Sequence, residues 1–531
     1  MTANSTLLFK RSENLDALQD QKLFDLLIVG GGIHGACAAR IAARQGWKVA
    51  LLEKSDYASA TSSRSSKMIH GGLRYLELFD FKQVFEGIRA RDALFKSAAH
   101  LVKPYPFLIP VKAGSKWERL RFKIGLTLYD LLLKDRSLRH RWLKRESLTS
   151  LTFNSNRSDL AGCFQYTDGL ANDTRLVLEN IVDARAHGAV TLNYCKVINK
   201  EPFSNGEQRV IFQDTLTQKE HTLSCRLVMN CAGPWAPMLF SQSDQRSVAY
   251  SSGAHLLFPY RWRDPALFLP LPGKSRYYFV WPHPAGTMVG TTEHEVFKLP
   301  KDPQPLGVEI GEIFKRITKD IASPDLGECH YAFSGIRILA LRDNAKDTSQ
   351  ISRKHIWKEE EGVLNLIGGK LTTALWTVEE GLKKAAATLQ LPYTAFSHTT
   401  KLPGGNSLAN NLPELLSEQS IPPETISRLL SMYGSRIDPE NFDFTPVTSE
   451  ITAGELNLAI NEEQVETVED LMRRRLNLEY MPGNGLDQLN AIATYLKVER
   501  PGIDLEQETE HYTSRISKIH RLIKDAKSTS S

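Results

Sequence analysis

Gly30, Gly32 and Gly35, with Glu53 downstream, have the types and spacing of a phosphate-binding turn and a ribose-binding acid. Glycine at the first position permits a tight turn, at the second lets the backbone approach a pyrophosphate, and at the third lets a helix lie close to a strand. An acid about 20 residues past the turn accepts hydrogen bonds from a ribose 2′-OH and disfavours a 2′-phosphate. Next, ASATSSRSSKMIHGGLRYLELFDF is dense in hydroxyl, glycine and basic residues. Hydroxyls and free N–H groups there can bind phosphate and carbonyl oxygens, and Gly71 and Gly72 let the chain pass close to a flat ring. Later, Gly368 and Gly369 precede Thr372, Thr373 and a helix expected from about Leu371, an arrangement suited to holding a developing anion.

These residues need particular elements to position them. FDLLIVGGGIHGACAARIAARQGWKVALLEK, residues 24–54, reads as apolar strand, glycine turn, small-residue helix and second apolar strand, a dinucleotide-binding βαβ unit. DTRLVLENIVDARAH reads as an amphipathic helix capped by Asp173, with a strand beginning near Val190. CRLVMNCAGPWAP repeats the strand-to-glycine logic, so a second strand end reaches the nucleotide site at Ala232 and Gly233. From about Ser251 to Thr292 the chain is strand-rich and aromatic, the pattern of a mainly antiparallel sheet. A Pro/Gly/Asn/Ser-rich stretch after Gln390 reads as a linker, and PETISRLLSMYG and EEQVETVEDLMRRRLNLEY beyond it read as a separate helical domain.

The ordered set TSSRSSKMIHGGLRYLE, NCAGPW, SGIR and IGGKLTT, followed by YGSR and VEDLMRRR, resembles the FAD-dependent glycerol-3-phosphate dehydrogenase family, within the D-amino-acid-oxidase-like flavoproteins. The resemblance runs from about Asp25 into the C-terminal region and implies an α/β protein with a Rossmann-type FAD-binding domain, an antiparallel-sheet cap domain and a helical C-terminal domain. The expected partition is an extension over 1–23, an FAD-binding domain from 24–90, 165–235 and 330–390, a cap from 91–164 and 236–329, a linker over 391–410 and a helical domain over 411–531. The cofactor implied is noncovalent FAD, contacted by Gly30, Gly31, Gly32, Gly35, Glu53, Lys54, Thr61, Ser62, Ser63, Ser66, His70, Gly71, Gly72, Ala232, Gly233, Gly369, Lys370, Leu371 and Thr372. The reaction implied is oxidation of sn-glycerol 3-phosphate to dihydroxyacetone phosphate, with electrons passed to a membrane quinone. Arg74, Tyr75, Arg337, Arg353 and Lys370 match the family's substrate pocket, and Arg is suited to bidentate phosphate binding. His255 matches the active-site histidine, as general base or alkoxide-orienting group, while Arg337 could bind phosphate or stabilise the alkoxide. Lys370 is expected to stabilise negative charge on the reduced flavin. The family's usual residues are Asn at His34, Gly at Cys37 and Pro at Ile338.

Composition bounds the remaining choices. At 531 residues, 41% hydrophobic and 24% charged, the chain is sized for two or three globular domains. Its six cysteines show no CxxC spacing, which predicts reduced thiols and no metal site. The first 23 residues read as a surface extension, neither secretory signal nor transit peptide. No stretch approaches about 18 uninterrupted apolar residues, so membrane contact is expected to be peripheral. Net charge is +5, yet 112–145 alone holds eleven Lys or Arg against Glu118, Asp130 and Asp135. There Trp117, Leu120, Ile124, Leu128, Leu131 and Leu132 recur at helical spacing between basic residues, the pattern of an interfacial helix or of an ordinary core-facing one. The resemblance favours lipid, at the inner face of the cytoplasmic membrane. No nucleic-acid module is present, and a homodimer is compatible with the sequence. The rival readings are an oxidase that reduces oxygen to peroxide, an FAD-linked oxidase of another amine or hydroxy acid, and a non-catalytic FAD-binding interaction protein.

Overall fold

Phe24–Val29 is buried along nearly its whole length, as a central parallel strand must be when both of its faces are covered. The computed structural model describes residues 11–73, 80–133, 135–148, 160–202, 206–240, 248–271, 277–321, 325–340, 355–406 and 421–529. In it Phe24–Val29 lies parallel to Val49–Leu52 on one side and Glu220–Asn230 on the other. Val190–Leu192 and Val363–Ile367 extend this parallel sheet outward, and Ile356–Glu360 closes one edge in antiparallel sense. Val29 pairs with Asn230 and Asn230 with Asn365, so three strands end at one level. Asn230 Nδ2 ties them together, donating to Asn365 Oδ1 at 2.8 Å and to the Ala236 carbonyl at 3.0 Å. A crevice outside the carboxyl ends of such strands is where open α/β sheets bind ligands.

Helices Ile33–Arg44, Asp173–Ala186 and Ala374–Leu389 pack together on one face of this sheet. The hairpin of Cys195–Pro202 and Gln208–Asp214 covers the other. Before the first strand, Arg11–Asp20 is a helix, with Arg11 paired to Asp214 at 3.0 Å. Among the described residues the second sheet has ten strands, its centre running Val248–Phe258, Gly286–Gly290, Tyr277–His283, Ala266–Pro270, Val102–Lys112, Leu160–Ala171. It is antiparallel except where Ala266–Pro270 meets Val102–Lys112. Tyr331–Ala340 pairs along the other side of Val248–Phe258.

Several local expectations change. The helix foreseen from Leu371 starts at Ala374, after a turn that includes Gly368 and Gly369 at positive φ. The cap of Asp173–Ala186 is Asn172, whose side chain accepts the Arg175 N–H at 3.1 Å. Asp173 is instead buried, accepting from Lys67 Nζ at 2.6 Å and Ser65 Oγ at 2.7 Å. The stretch after Gln390 reaches back to the earlier chain: Arg40 donates to the Thr400 and Lys401 carbonyls, and Gly404 N–H to Glu179. In the C-terminal part, Pro423–Tyr433 is a helix as the pattern required. Residues 458–480 form short π and 3₁₀ turns, Leu458–Glu462, Asp470–Arg475 and Leu478–Tyr480, whose charges pair both within the segment, Arg473 with Glu469 and Arg474 with Asp470, and with Arg175 and Asp56 far earlier in the chain. Replacing Asp173 by Ala leaves the Lys67 ammonium buried without its carboxylate, and urea unfolding should register a loss of about 3–5 kcal/mol.

Candidate functional site

The three strand ends open into a cavity of about 1550 Å³, bounded also by the inner side of the second sheet and by the C-terminal helix Leu505–Ser528. A single small ligand occupies about 300–1,000 Å³, so this volume accommodates a dinucleotide with a second molecule beside it.

At the nucleotide end the glycines act as their spacing requires. Gly30 has φ +108°, and a Cβ on it would lie 2.6 Å from the Cys231 carbonyl oxygen. A Cβ on Gly35 would lie 1.8 Å from the Gly30 oxygen. Gly35 is therefore what lets the helix touch the turn, while Gly30 and Gly32 face the cavity. Gly32 caps that helix without any side-chain bond, leaving its first N–H groups for an anion. Ser62 Oγ accepts one of them, from Ile33, at 3.0 Å. Glu53 lines the cavity and accepts the Gly31 N–H at 2.6 Å and the Ser55 N–H at 2.9 Å. Burial pushes its carboxyl pKa up, and those two bonds pull it back. Gly31, Gly35, Ser63 and Gly71, expected on the cofactor, lie behind the wall as packing or support residues. Ser63 is buried and turns its hydroxyl to the Ala60 carbonyl. Thr61, Ser62, Ser66, Lys54, Ala232 and Gly233 are on the wall, with Lys54 Nζ 3.5 Å from the Trp235 ring centroid.

His70, Gly72, Gly369, Lys370, Leu371 and Thr372 are also on the wall of this cavity. Gly71 is pressed against Tyr129, whose hydroxyl oxygen would lie 2.1 Å from a Cβ there. Its N–H donates to Asp168 Oδ1 at 3.0 Å, as do Arg91 Nη1 at 3.0 Å and the Tyr129 hydroxyl at 2.7 Å. Sequence reasoning missed Asp168, Arg91 and Tyr129, since only the fold joins them to Gly71. Gly369, at φ +100°, faces His34, whose Nε2 would lie 2.6 Å from a Cβ on it. Burial holds the His34 imidazole down to about 4, with His355 adding to the effect. Lys370 Nζ donates to Gln83 Oε1, another partner the sequence did not signal.

Of the catalytic candidates, Arg337 is on the wall and its Nη2 donates to Thr291 Oγ1 at 3.0 Å. His255, expected beside the substrate, sits one layer back: only 1% of it is exposed, and Ser66 stands between it and the cavity, 2.9 Å from its Nε2. Its ring stacks on Phe333 with centroids 5.0 Å apart, meets the edge of Trp281 at 5.8 Å and leaves Nδ1 without a hydrogen-bond partner. Burial, Arg337 and Lys67 hold its pKa well below the ordinary imidazole value. This displacement follows from the strand register, which sets His255 opposite Phe333 and Gly290, where only a glycine leaves room for the ring. Arg74, Tyr75 and Arg353 lie outside the described residues.

A turn that a Cβ would fill, a helix N-terminus without a side-chain cap and a buried acid fit the adenosine half of FAD, and Gly72 and Gly369, at positive φ on the wall of the same cavity, leave room for a flat ring. Residues 25–376 match the family model described as FAD dependent oxidoreductase, and residues 396–500 match the C-terminal domain of alpha-glycerophosphate oxidase. A glycerol-3-phosphate dehydrogenase of Synechocystis sp. is 32% identical over 492 residues, covering 85% of this chain and 88% of that protein. The chain belongs to the FAD-dependent glycerol-3-phosphate dehydrogenase family. It is also similar to the aerobic glycerol-3-phosphate dehydrogenase of Bacillus subtilis, 32% identical over 364 residues, which cover 66% of this chain and 65% of that protein. Its fold matches that of a glycerol-3-phosphate dehydrogenase from Bacillus halodurans, solved with FAD, with a TM-score of 0.75 at 24% identity over 97% of this chain and 98% of the other. This family member is thus a flavoenzyme with FAD as cofactor.

The depressed pKa of His255 has a consequence for stability. An unfolded imidazole titrates near 6.5, so the unfolded chain binds more protons once pH falls below that value, and stability declines with acidification. Between pH 6.5 and 5, His255→Gln should flatten the fall of unfolding free energy by about 1.4 kcal/mol per pH unit, measured by urea titrations across that range.

Proposed function

We propose that this flavoenzyme oxidises sn-glycerol 3-phosphate to dihydroxyacetone phosphate and passes the electrons to a quinone at the inner face of the cytoplasmic membrane. The reading rests on two cations, Arg337 and Lys370, that line the same cavity as Gly72 and Gly369, in a chain whose relatives carry the name glycerol-3-phosphate dehydrogenase. When bound there, FAD accepts the hydride lost by the alcohol carbon. A phosphate dianion needs several cationic donors, of which Arg337 and Lys370 supply two; Arg74, Tyr75 and Arg353, matched to the family's pocket by sequence, lie outside the described residues. Arg337, steadied by Thr291, also stabilises the alkoxide left when the hydroxyl proton departs. His255, with its pKa depressed, serves better to orient the Ser66 hydroxyl than to store a proton. Lys370, fixed by Gln83, would supply positive charge to stabilise the flavin once reduced.

Lipid contact is supported by helix Lys116–Leu131, which has two apolar faces. Phe122, Leu126 and Tyr129 pack inward, whereas Trp117 is 77% exposed, Leu131 is 73% exposed, and Leu120, Ile124 and Leu128 join them on one outward stripe. Apolar area in water costs about 25 cal/mol per Å², which a bilayer surface relieves while the flanking basic groups meet anionic headgroups. Phe81 and Phe85 are likewise exposed on the neighbouring helix Phe81–Ser97. Both helices abut Gly71, one through Tyr129 and the other through Gly87, so this face lies close to the turn expected at the flavin. No helix among the described residues is long and apolar enough to cross a membrane.

A second reading, an oxidase that reduces oxygen, is favoured by the match of residues 396–500 to a domain named for alpha-glycerophosphate oxidase. Peroxide release measured with and without a quinone analogue separates the two. For the substrate, anaerobic sn-glycerol 3-phosphate should bleach the flavin absorbance. Arg337→Leu should lower the apparent affinity for it by about tenfold to hundredfold, the cost of a lost charged hydrogen bond. Unchanged absorbance in the parent protein would refute the assignment. Trp117→Glu with Leu131→Glu should abolish co-flotation with anionic lipid vesicles while leaving flavin bleaching by glycerol 3-phosphate intact.

A further inference from the structure

Thr61, Ser62 and Ser66, which line the cavity, lie on a loop held from behind by side chains more than 400 positions later in the chain. Asp56, buried at the start of this loop, is gripped at both oxygens by Arg475, with Nη1 at 2.6 Å and Nη2 at 2.8 Å, and also by Arg474 Nε. The Tyr57 hydroxyl donates to Gln464 Oε1 at 2.5 Å. The Ser63 carbonyl accepts the Tyr480 hydroxyl at 3.1 Å. Arg64 bonds Asp302, which Arg515 of the last helix holds at 2.7 Å. Between these anchors the loop is Ala, Ser and Thr, residues with little packing surface of their own to fix a conformation.

Tyr480 reaches the loop by a second route. Lys67 Nζ lies 4.7 Å from its ring centroid, and the ring meets the edge of Phe333, the residue stacked on His255, which bonds Ser66. Tyr480, Arg475 and Gln464 do not themselves line the cavity, so whatever they do for the cofactor they do through the loop.

We propose that Tyr480 and Arg475 are positioning residues for FAD: the C-terminal part holds the 56–66 loop in its binding shape, and FAD binding and C-terminal docking are thermodynamically linked. By reciprocity, FAD must tighten that docking by the same factor by which docking tightens FAD. The inference depends on FAD being the cofactor and is independent of which alcohol is oxidised or which acceptor is reduced.

The test compares full-length protein with Tyr480→Phe, which removes one hydroxyl and keeps the ring, and with Arg475→Lys. FAD dissociation constants of the apoproteins are read by flavin fluorescence quenching. Urea unfolding of the same samples and amide hydrogen exchange over 458–480, with and without FAD, complete the set. Tyr480→Phe should weaken FAD binding about threefold to tenfold while its apoprotein remains folded, the expected effect of one hydrogen bond. In the parent protein FAD should slow exchange over 458–480. FAD affinity within twofold of the parent in Tyr480→Phe, or exchange over 458–480 indifferent to FAD, would overturn the proposal. An affinity loss confined to a variant whose apoprotein is already unfolded would overturn it too.

Discussion

The contact between Gly35 and the Gly30 carbonyl is the constraint on which the rest of the molecule depends. With a Cβ only 1.8 Å from that oxygen, no other residue could occupy position 35, and the helix could not sit so close to the turn. That closeness aims the helix N-terminus and its free N–H groups into the crevice. It also brings Gly30 against Cys231, at the end of the neighbouring strand Glu220–Asn230. The Asn230–Asn365 bond then carries the same level across to the turn that bears Gly369 and Lys370. One close backbone approach thus aligns segments from three distant parts of the chain.

Around this frame, the cavity wall is supported by buried charge. Asp168 gathers Gly71, Arg91 and Tyr129, Asp173 gathers Lys67 and Ser65, and Asp56 gathers Arg474 and Arg475. Each carboxylate has a cation and further hydrogen bonds, the condition under which a buried charge is tolerable. Such clusters are directional, so they hold loops that apolar packing alone would leave free to slide. They also explain why the wall combines many small residues with a defined shape.

Much of the architecture was legible in the chain itself. The βαβ unit, the strand at Val190, the antiparallel second sheet and the helix Pro423–Tyr433 follow from hydrophobic period and turn residues, which are local signals. The less legible features arise where a distant partner overrides local propensity. Asp173 looked like a cap and became a buried ion-pair partner, because Lys67 approaches it from another segment. Residues 462–480 carry a helical charge pattern and keep part of it, Arg473 on Glu469 and Arg474 on Asp470, yet Arg475 and Glu463 turn toward Asp56 and Arg175 and the segment forms short turns. Within the site, glycine spacing marked the tight turn after the first strand, but could not separate wall glycines from packing glycines such as Gly31, Gly35 and Gly71, since that depends on which neighbour lies behind each one.

By itself, then, the sequence determined the cofactor turn, the acid that braces it, the two sheet types and the basic amphipathic helix, because each depends on residues close together along the chain. Only the tertiary structure decided that the outer stripe of that helix stays bare and that His255 stands behind Ser66. It also decided that the C-terminal part clasps the cofactor loop. Exposure, strand register and pairs hundreds of residues apart are properties of the folded chain, and no local pattern encodes them.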